Sequence, residues 1–149
     1  MVKVIRSTII DAPVDQVWDV LRDFNGHDNW HPAVAYSSIE RSEQSDRVGC
    51  VRRFKLKDGA ELREKLLTHS DMEQSFSYCL IDTPIPLLNY VAHVNLYPVT
   101  DGDATFWQWQ SSFNTPSGAE EELSALVGND IYQAGFDAIR TQLAGTVNS

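Results

Sequence analysis

Cysteine is scarce in this chain, which has only Cys50 and Cys79 among its 149 residues. Two cysteines this far apart do not make a disulfide framework, and neither lies in a CxxC motif of the kind that binds metal or carries redox chemistry. We expect both to be buried thiols, and the sequence leaves open a bridge between neighbouring strands. A scaffold held by several disulfides or by a cysteine-ligated metal is therefore not predicted.

Long hydrophobic runs and positive charge are also lacking. No run approaches the roughly 18 apolar residues needed to span a bilayer, and the N-terminus has neither the apolar core nor the cleavage site of a signal peptide. Twelve basic residues against 21 acidic ones give a net charge of −9, so no segment supplies the basic stripe that nucleic acids and anionic membranes require. We expect a soluble cytoplasmic protein that binds no nucleic acid and does not insert into membranes.

Motifs for nucleotide or hydrolase chemistry are missing as well. The sequence has no Ser-His-Asp constellation, glycine-rich phosphate loop or dinucleotide fingerprint. His27 and His31 have a spacing that places two imidazoles on one helical face, as in some metal sites. Gly26 and Pro32 bracket too short a helix to hold them rigidly, and no third ligand is indicated. We predict no metal and no organic cofactor.

What is present predicts one domain over residues 1–149, since 42% of the residues are apolar and the length suits a single core. Alternation predicts a strand from Val2 to Ile10, a short helix follows Pro13, and a second short helix fits before Pro32. Strand patterns then lie at 35–41, 48–56, 61–70, 75–81, 88–99 and 104–114. The short connections, including the hairpin dipeptide Asp58-Gly59, predict an antiparallel sheet of seven strands.

A long helix is predicted at 120–143, where two apolar stripes recur at helical spacing. One stripe consists of Leu123, Val127, Ile131, Ala134 and Ala138, and the other of Tyr132, Phe136, Ile139 and Leu143. Ser117 and Glu120 have the spacing of a capping box. Gly128 and Gly135 weaken a helix interior, which predicts close packing or room beside a ligand at these positions.

Five segments occur in a characteristic order: FNGHDNWHPAV, VGCVRRF, LREKLL, WQWQSSF and IYQAGFDAI. Their order and spacing resemble the START-like helix-grip superfamily (SRPBCC), and within it the polyketide cyclase/dehydrase and lipid-transport family. The resemblance implies an α+β helix-grip fold, in which a curved seven-stranded antiparallel sheet wraps around a long C-terminal helix. It further implies two short helices after the first strand and a largely apolar internal cavity. Members of such folds bind lipids, sterols, hormones and polyketides, and some catalyse cyclisation, dehydration or isomerisation without a cofactor.

Arg52 and Glu64 are the candidate catalytic residues. By strand alternation each shares a face with apolar residues, and the Asp58-Gly59 hairpin makes their strands neighbours. A four-residue turn at 57–60 would put Glu64 diagonally across from Arg52, within reach of its side chain. The pair is similar to the arginine and glutamate of the plant lachrymatory-factor synthases, which implies acid-base and oxygen-binding roles. A structural ion pair, or an inward Arg53 in place of Arg52, is an equally weighted alternative.

The candidate ligand-binding residues are mostly aromatic. Three of them share one face of the last strand, which must be the inner face. Aromatic residues at this density are more often core than ligand platform, and here we predict that they line a cavity. The full set is Trp30, Tyr78, Tyr90, Trp107, Trp109, Phe113 and Gly135. Gly135→Leu should reduce ligand capacity more than stability.

The leading functional hypothesis is a protein that binds an apolar or aromatic small molecule in an internal cavity. Three versions remain open. In the first, the chain is a cofactor-independent enzyme resembling polyketide cyclases, dehydrases or isomerases. In the second, it is a non-catalytic carrier of lipids or small molecules, and in the third, ligand binding closes the Trp30 segment to create a surface for a protein partner. The sequence also leaves homodimer formation open.

Overall fold

The computed structural model describes residues 1–147 as one curved antiparallel sheet and a long C-terminal helix. The strand order across the sheet is β1-β7-β6-β5-β4-β3-β2. The strands are β1 (Val2–Ile10), β2 (Val34–Ile39), β3 (Val51–Leu56), β4 (Glu61–Ser70), β5 (Ser75–Asp82), β6 (Leu88–Val99) and β7 (Ala104–Asn114). The helices are α1 (Val14–Leu21), α2 (Glu120–Ala125), a π-helical segment (Leu126–Gln133) and α3 (Ala134–Val147), with short 3₁₀ turns at Gly26–Asn29 and Glu40–Ser42.

The predicted element order is therefore confirmed, because alternating apolar residues fix which strand face is buried. In β7, for example, buried residues alternate with half-buried ones along the whole strand. None of the helices within residues 1–147 is long and apolar enough to cross a membrane. Cys50 is buried and Cys79 is half-buried, and both are free thiols, so the bridge left open by the sequence does not form.

The C-terminal helix contains a wide turn that the sequence did not predict. The residues buried against the sheet run Leu123, Val127, Tyr132, Phe136, Ile139 and Leu143. The step from Val127 to Tyr132 is five residues, because a π-helical turn holds one residue more than an α-helical one. After this turn, the residues of the second predicted stripe, Tyr132, Phe136, Ile139 and Leu143, form the buried face of the helix. Ile131, from the first stripe, is displaced to the edge and is only half-buried.

The capping box predicted for this helix is wrong. The helix begins at Glu120, as expected, but its N-cap is Ala119 and no side chain caps the terminus. Gly118 has a positive φ of 84°, so the chain turns between Ser117 and the helix. Ser117 therefore lies two residues before the N-cap position and does not cap the first turn. The acidic residues Glu120, Glu121 and Glu122 complement the helix terminus electrostatically.

The room predicted beside Gly135 is filled by aromatic rings. A Cβ atom on Gly135 would lie 2.9 Å from Cζ3 of Trp109 and 3.2 Å from Cζ3 of Trp30. Gly135 is thus the place where the helix approaches the indole cluster most closely. This corrects the expectation that Gly135→Leu would affect ligand capacity more than stability, since a leucine here would collide with packed rings.

Gly135→Ala is expected to lower the free energy of unfolding by about 1–3 kcal/mol, since the ring of Trp109 is held on both faces and overpacking costs that much. Gly128→Ala is the matched control. The three atoms nearest to its Cβ would all belong to the guanidinium of Arg6, the closest at 2.5 Å, and this is the end of a flexible side chain. Urea denaturation of both variants checks this, and equal losses of stability would contradict the packing described for Gly135.

Candidate functional site

A pocket of about 310 Å³ lies between the sheet and the helix, at the end where β3, β4 and β5 extend beyond the core stripe. Its wall is predominantly apolar and aromatic. Its mouth lies between the 3₁₀ turn after α1, the tip of the β3–β4 hairpin and the π-helical segment, which contributes Leu126, Asp130 and Ile131. Because the wide turn displaces Ile131 from the core, the helix forms one side of the mouth instead of closing it.

Arg52 and Glu64 meet inside this pocket as a buried ion pair. They are directly opposite each other on β3 and β4, and each is only 6% exposed. Nε and Nη2 of Arg52 donate to Oε1 of Glu64 at 2.9 and 2.6 Å, and Nη1 donates to the carbonyl of Phe24 at 2.7 Å. Arg53, on the alternate face, is exposed. Arg52 is therefore the inward residue of the two.

The predicted register of this hairpin was wrong by one residue. Leu56 donates its N–H to the carbonyl of Ala60 at 2.8 Å, so the loop holds three residues instead of four. Gly59, with a φ of +98°, supplies the left-handed conformation that such a loop requires. The shorter loop moves Glu64 from a diagonal position to a position directly opposite Arg52, which lets two N–H groups reach one carboxylate oxygen.

The second carboxylate oxygen of Glu64 has no protein hydrogen bond within residues 1–147. Both bonds from Arg52 go to Oε1, and Glu64 lines the pocket. Burial raises the pKa of Glu64 above its usual value, although the charge and hydrogen bonds of Arg52 oppose that shift. A carboxylate with a raised pKa and a free oxygen can accept a proton from a bound molecule and return it.

Tyr78 and Tyr90 line the pocket, and hydrogen bonds tie their hydroxyls to Trp109 and Tyr132. Trp109 Nε1 donates to the Tyr78 hydroxyl at 3.1 Å. The hydroxyls of Tyr90 and Tyr132 lie 2.5 Å apart. Burial, as the largest cause, raises the pKa of all three tyrosines well above the usual value. These groups therefore act as neutral hydrogen-bond partners.

The indole rings form the wall opposite the β3–β4 hairpin. Trp107 and Trp109 stack with ring centroids 5.7 Å apart, and Trp109 stacks on Tyr132 at 4.3 Å. Trp30 reaches this cluster from the turn after α1, with its ring centroid 6.2 Å from that of Trp107. The structure brings five of the predicted ligand-binding residues together along the pocket: Trp30, Tyr78, Tyr90, Trp107 and Trp109.

Two further predicted ligand-binding residues lie behind the pocket wall. Phe113 is 1% exposed and packs against the ring of Tyr90, with centroids 5.8 Å apart. Gly135 lies under the rings of Trp109 and Trp30. Neither residue is part of the pocket lining, and both pack behind residues that are. Strand and helix periodicity indicates which face is the inner one. It does not show where along that face the packed core ends and the pocket begins.

His27 and His31 both line the pocket, although neither was predicted from the sequence to contact a ligand. His31 accepts a hydrogen bond at Nδ1 from the N–H of Ala33 at 3.1 Å, and its Nε2 lies 2.7 Å from the carbonyl of Ile131. Nε2 must therefore carry the proton, and His31 links the turn after α1 to the π-helical segment. Burial lowers the pKa of both imidazoles. Their i, i+4 spacing was the signal, and it was considered only for metal binding.

Comparison with known families identifies the chain. A family model described as polyketide cyclase/dehydrase and lipid transport matches residues 1–144. The chain belongs to this family. The predicted resemblance to the START-like helix-grip superfamily is thereby confirmed, and the family supports a ligand-binding domain. No curated protein matches the chain by sequence.

Solved structures share the helix-grip fold of the polyketide cyclase/dehydrase family. XoxI from Bacillus cereus is 25% identical, with 95% of each chain covered and a TM-score of 0.85. The Zhui aromatase/cyclase from a Streptomyces species is 19% identical, with 98% of this chain and 95% of that one covered and a TM-score of 0.80. The major latex-like protein 151 of Panax ginseng is 15% identical, with coverage of 95% and 96% and a TM-score of 0.77. At these identities the last two show the fold alone.

Proposed function

We propose that this family member is a single domain that binds an uncharged apolar or aromatic small molecule in the pocket. We further propose that Glu64 and Arg52 catalyse a cofactor-independent proton transfer on that molecule, as in cyclisation, dehydration or isomerisation. The observation that carries the proposal is the buried carboxylate of Glu64, which has one oxygen bound by Arg52 and one free oxygen in an otherwise apolar pocket.

The proposed step begins when Oε2 of Glu64 takes a proton from a carbon next to a carbonyl group of the ligand. The electron pair of that C–H bond forms a carbon–carbon double bond, and the carbonyl electrons move to the oxygen. An N–H group of Arg52 that is not used by Glu64 or Phe24 stabilises the developing negative charge. In an isomerisation the carbonyl re-forms while the double-bond electrons take the proton of Glu64 at another carbon of the conjugated system. In a dehydration the carbonyl re-forms while the same electrons make a new carbon–carbon double bond and break the C–O bond of a β-hydroxyl group, which takes the proton and leaves as water.

The proposed ligand contacts are the aromatic residues of the pocket wall: Trp30, Tyr78, Tyr90, Trp107 and Trp109. Flat rings at these positions suit a planar ligand, because aromatic groups favour stacked or edge-on contacts with one another. The volume of about 310 Å³ lies at the lower end of the range for small-molecule pockets. A compact ligand of a few fused rings, or a short lipid, therefore suits the pocket better than a long acyl chain.

A non-catalytic carrier is the second candidate, and a specific observation favours it. Arg52 donates three hydrogen bonds, two to Glu64 and one to the Phe24 carbonyl, and its guanidinium carbon lies 3.9 Å from the centroid of the Phe24 ring. A pair satisfied to this degree suits a structural role in a pocket wall. The family description includes lipid transport as well as cyclisation, so both candidates are consistent with the assignment.

Native mass spectrometry of protein taken directly from its source tests ligand binding. We expect a fraction of the chain to carry one uncharged molecule that is released on denaturation, because an apolar pocket of this size retains apolar compounds during purification. Gly135→Leu, which would push Trp109 and Trp30 into the pocket, should carry less of it. Protein that arrives without a bound molecule, and takes none up from an extract of its source, would contradict the proposal.

A further inference from the structure

His27 is a buried histidine in the pocket wall whose imidazole has no protein partner. The residue is 7% exposed, and within residues 1–147 no protein atom hydrogen-bonds Nδ1 or Nε2. Its ring packs edge-on against Phe54, with centroids 4.7 Å apart. His31, four residues later, has partners at both nitrogens. The two histidines thus differ in role, although they share a short turn.

The turn holds the His27 backbone firmly and leaves only its ring available. The His27 carbonyl accepts the N–H of His31 at 2.8 Å, and the ring lines the pocket together with Arg52 and Glu64. Burial, with the positive charge of nearby Arg52, keeps the pKa of His27 well below its usual value. The imidazole is therefore neutral and presents one N–H donor and one nitrogen acceptor.

Two other buried polar atoms of pocket-lining residues, both of them donors, are unpaired in the described chain. The indole N–H groups of Trp30 and Trp107 also lack a protein acceptor in the described chain, and both rings line the pocket. A buried polar atom is normally hydrogen-bonded, and leaving one unpaired carries a free-energy cost. A ligand oxygen can accept from an indole N–H, whereas neutral His27 has one nitrogen that donates and one that accepts. A hydroxyl group can either donate or accept, so it can pair with whichever of the two nitrogens it meets.

The mouth of the pocket indicates the charge of the ligand. The pocket is lined at its mouth by three acidic residues, Asp23, Asp58 and Asp130, and by the basic residue Lys57. All four are exposed. An excess of negative charge at the entrance repels carboxylates and phosphates, so an uncharged hydroxyl compound enters more readily than an anion.

We propose that His27 is a specificity-determining residue that recognises a hydroxyl group of an uncharged aromatic ligand through one hydrogen bond at its imidazole. This inference rests on the proposed function, because it assumes that the ligand occupies the pocket. It goes beyond that function by assigning the ligand a hydroxyl group and by giving that group a named partner away from the Arg52–Glu64 pair.

The test compares 2-naphthol with 2-methylnaphthalene, which differ by one hydroxyl group in place of a methyl group. Calorimetric titration gives the Kd of each compound for the wild-type chain and for His27→Phe. The preference for 2-naphthol should fall by about 10-fold in His27→Phe, because an unpaired polar group in a buried site costs at least that much. His27→Gln retains a donor and an acceptor and should keep part of the preference. His93→Phe, at an exposed position on β6, should leave it unchanged.

The outcomes separate this inference from the proposed function. An unchanged preference in His27→Phe, with both compounds still bound, would overturn the role of His27 and leave ligand binding intact. Failure of the wild-type chain to bind either compound would overturn both. If His27→Phe does not fold, ¹⁵N NMR of the wild-type imidazoles decides the question: 2-naphthol should shift the His27 nitrogens and 2-methylnaphthalene should not. Equal shifts with both compounds would also overturn the role.

Discussion

The Glu64→Gln variant should catalyse the exchange of the α-protons of 2-tetralone for solvent deuterium about 100-fold more slowly than the wild-type chain, or slower still. A positioned general base raises the rate of proton transfer by at least this factor. This bicyclic ketone is uncharged, and its acidic protons lie next to a carbonyl group. Glutamine keeps the shape of the side chain but cannot take up a proton. Proton NMR in deuterated buffer follows the exchange, and calorimetry should find that Glu64→Gln still binds the ketone.

The control for this experiment is Glu61→Gln, which alters an exposed carboxylate on the same strand and should exchange at the wild-type rate. The wild-type rate should fall as the pH is lowered through the raised pKa of Glu64, since the ionised form is the base. That fall should lie above the usual pKa of a glutamate side chain. Exchange by Glu64→Gln at the wild-type rate would exclude the acid-base role and leave the carrier candidate.

Arg52→Met should lower the free energy of unfolding by about 3–5 kcal/mol, because removing one partner of a buried ion pair leaves the other charge uncompensated. The substitution removes the three hydrogen bonds that Arg52 donates, two to Glu64 and one to the Phe24 carbonyl. The pKa of Glu64 is already raised by burial and rises further without Arg52. The folded variant therefore favours the protonated carboxyl of Glu64, which is more readily formed at low pH. The decrease in the free energy of unfolding should be smaller at pH 5 than at pH 7.

Urea denaturation at the two pH values measures this effect, with Arg53→Met as the matched control. Arg53 is the next residue on β3, is exposed, and forms an ion pair with Glu40 at 3.5 Å, so its removal should cost less than about 1 kcal/mol. The double variant Arg52→Met/Glu64→Leu should regain most of the lost stability, since an apolar pair replaces the ions. Equal losses for Arg52→Met and Arg53→Met would show that the pair is not buried in solution.

The fold was predictable because alternation and turn residues act locally. Each strand of the sheet has one apolar face, and a residue such as Trp107 can lie only on the inner one. The π-helical turn was not predictable, because nothing in the sequence near Val127 distinguishes a five-residue step from a four-residue one. That turn depends on how the helix fits the finished sheet, and it decides that Tyr132 is core while Ile131 borders the pocket.

The candidate site was predictable in its charged pair and less so in its lining. Alternation placed Arg52 and Glu64 on the inner face, and the one-residue error came from the loop length, which depends on the conformation of Gly59. Phe113 and Gly135 were expected at the ligand because the end of the core cannot be located from periodicity. His27 was considered only as a metal ligand, since its isolation from other polar groups arises only when the turn packs against β3.

The most direct measurement of the central claim is a crystal structure of the chain with 2-tetralone bound. The account predicts one molecule inside the pocket, with its ring against the indoles of Trp30 and Trp109 and its carbonyl within hydrogen-bonding distance of Arg52. The carbon next to that carbonyl should face Oε2 of Glu64. A ketone bound elsewhere on the protein, with the pocket between Arg52 and Trp109 closed, would contradict the account.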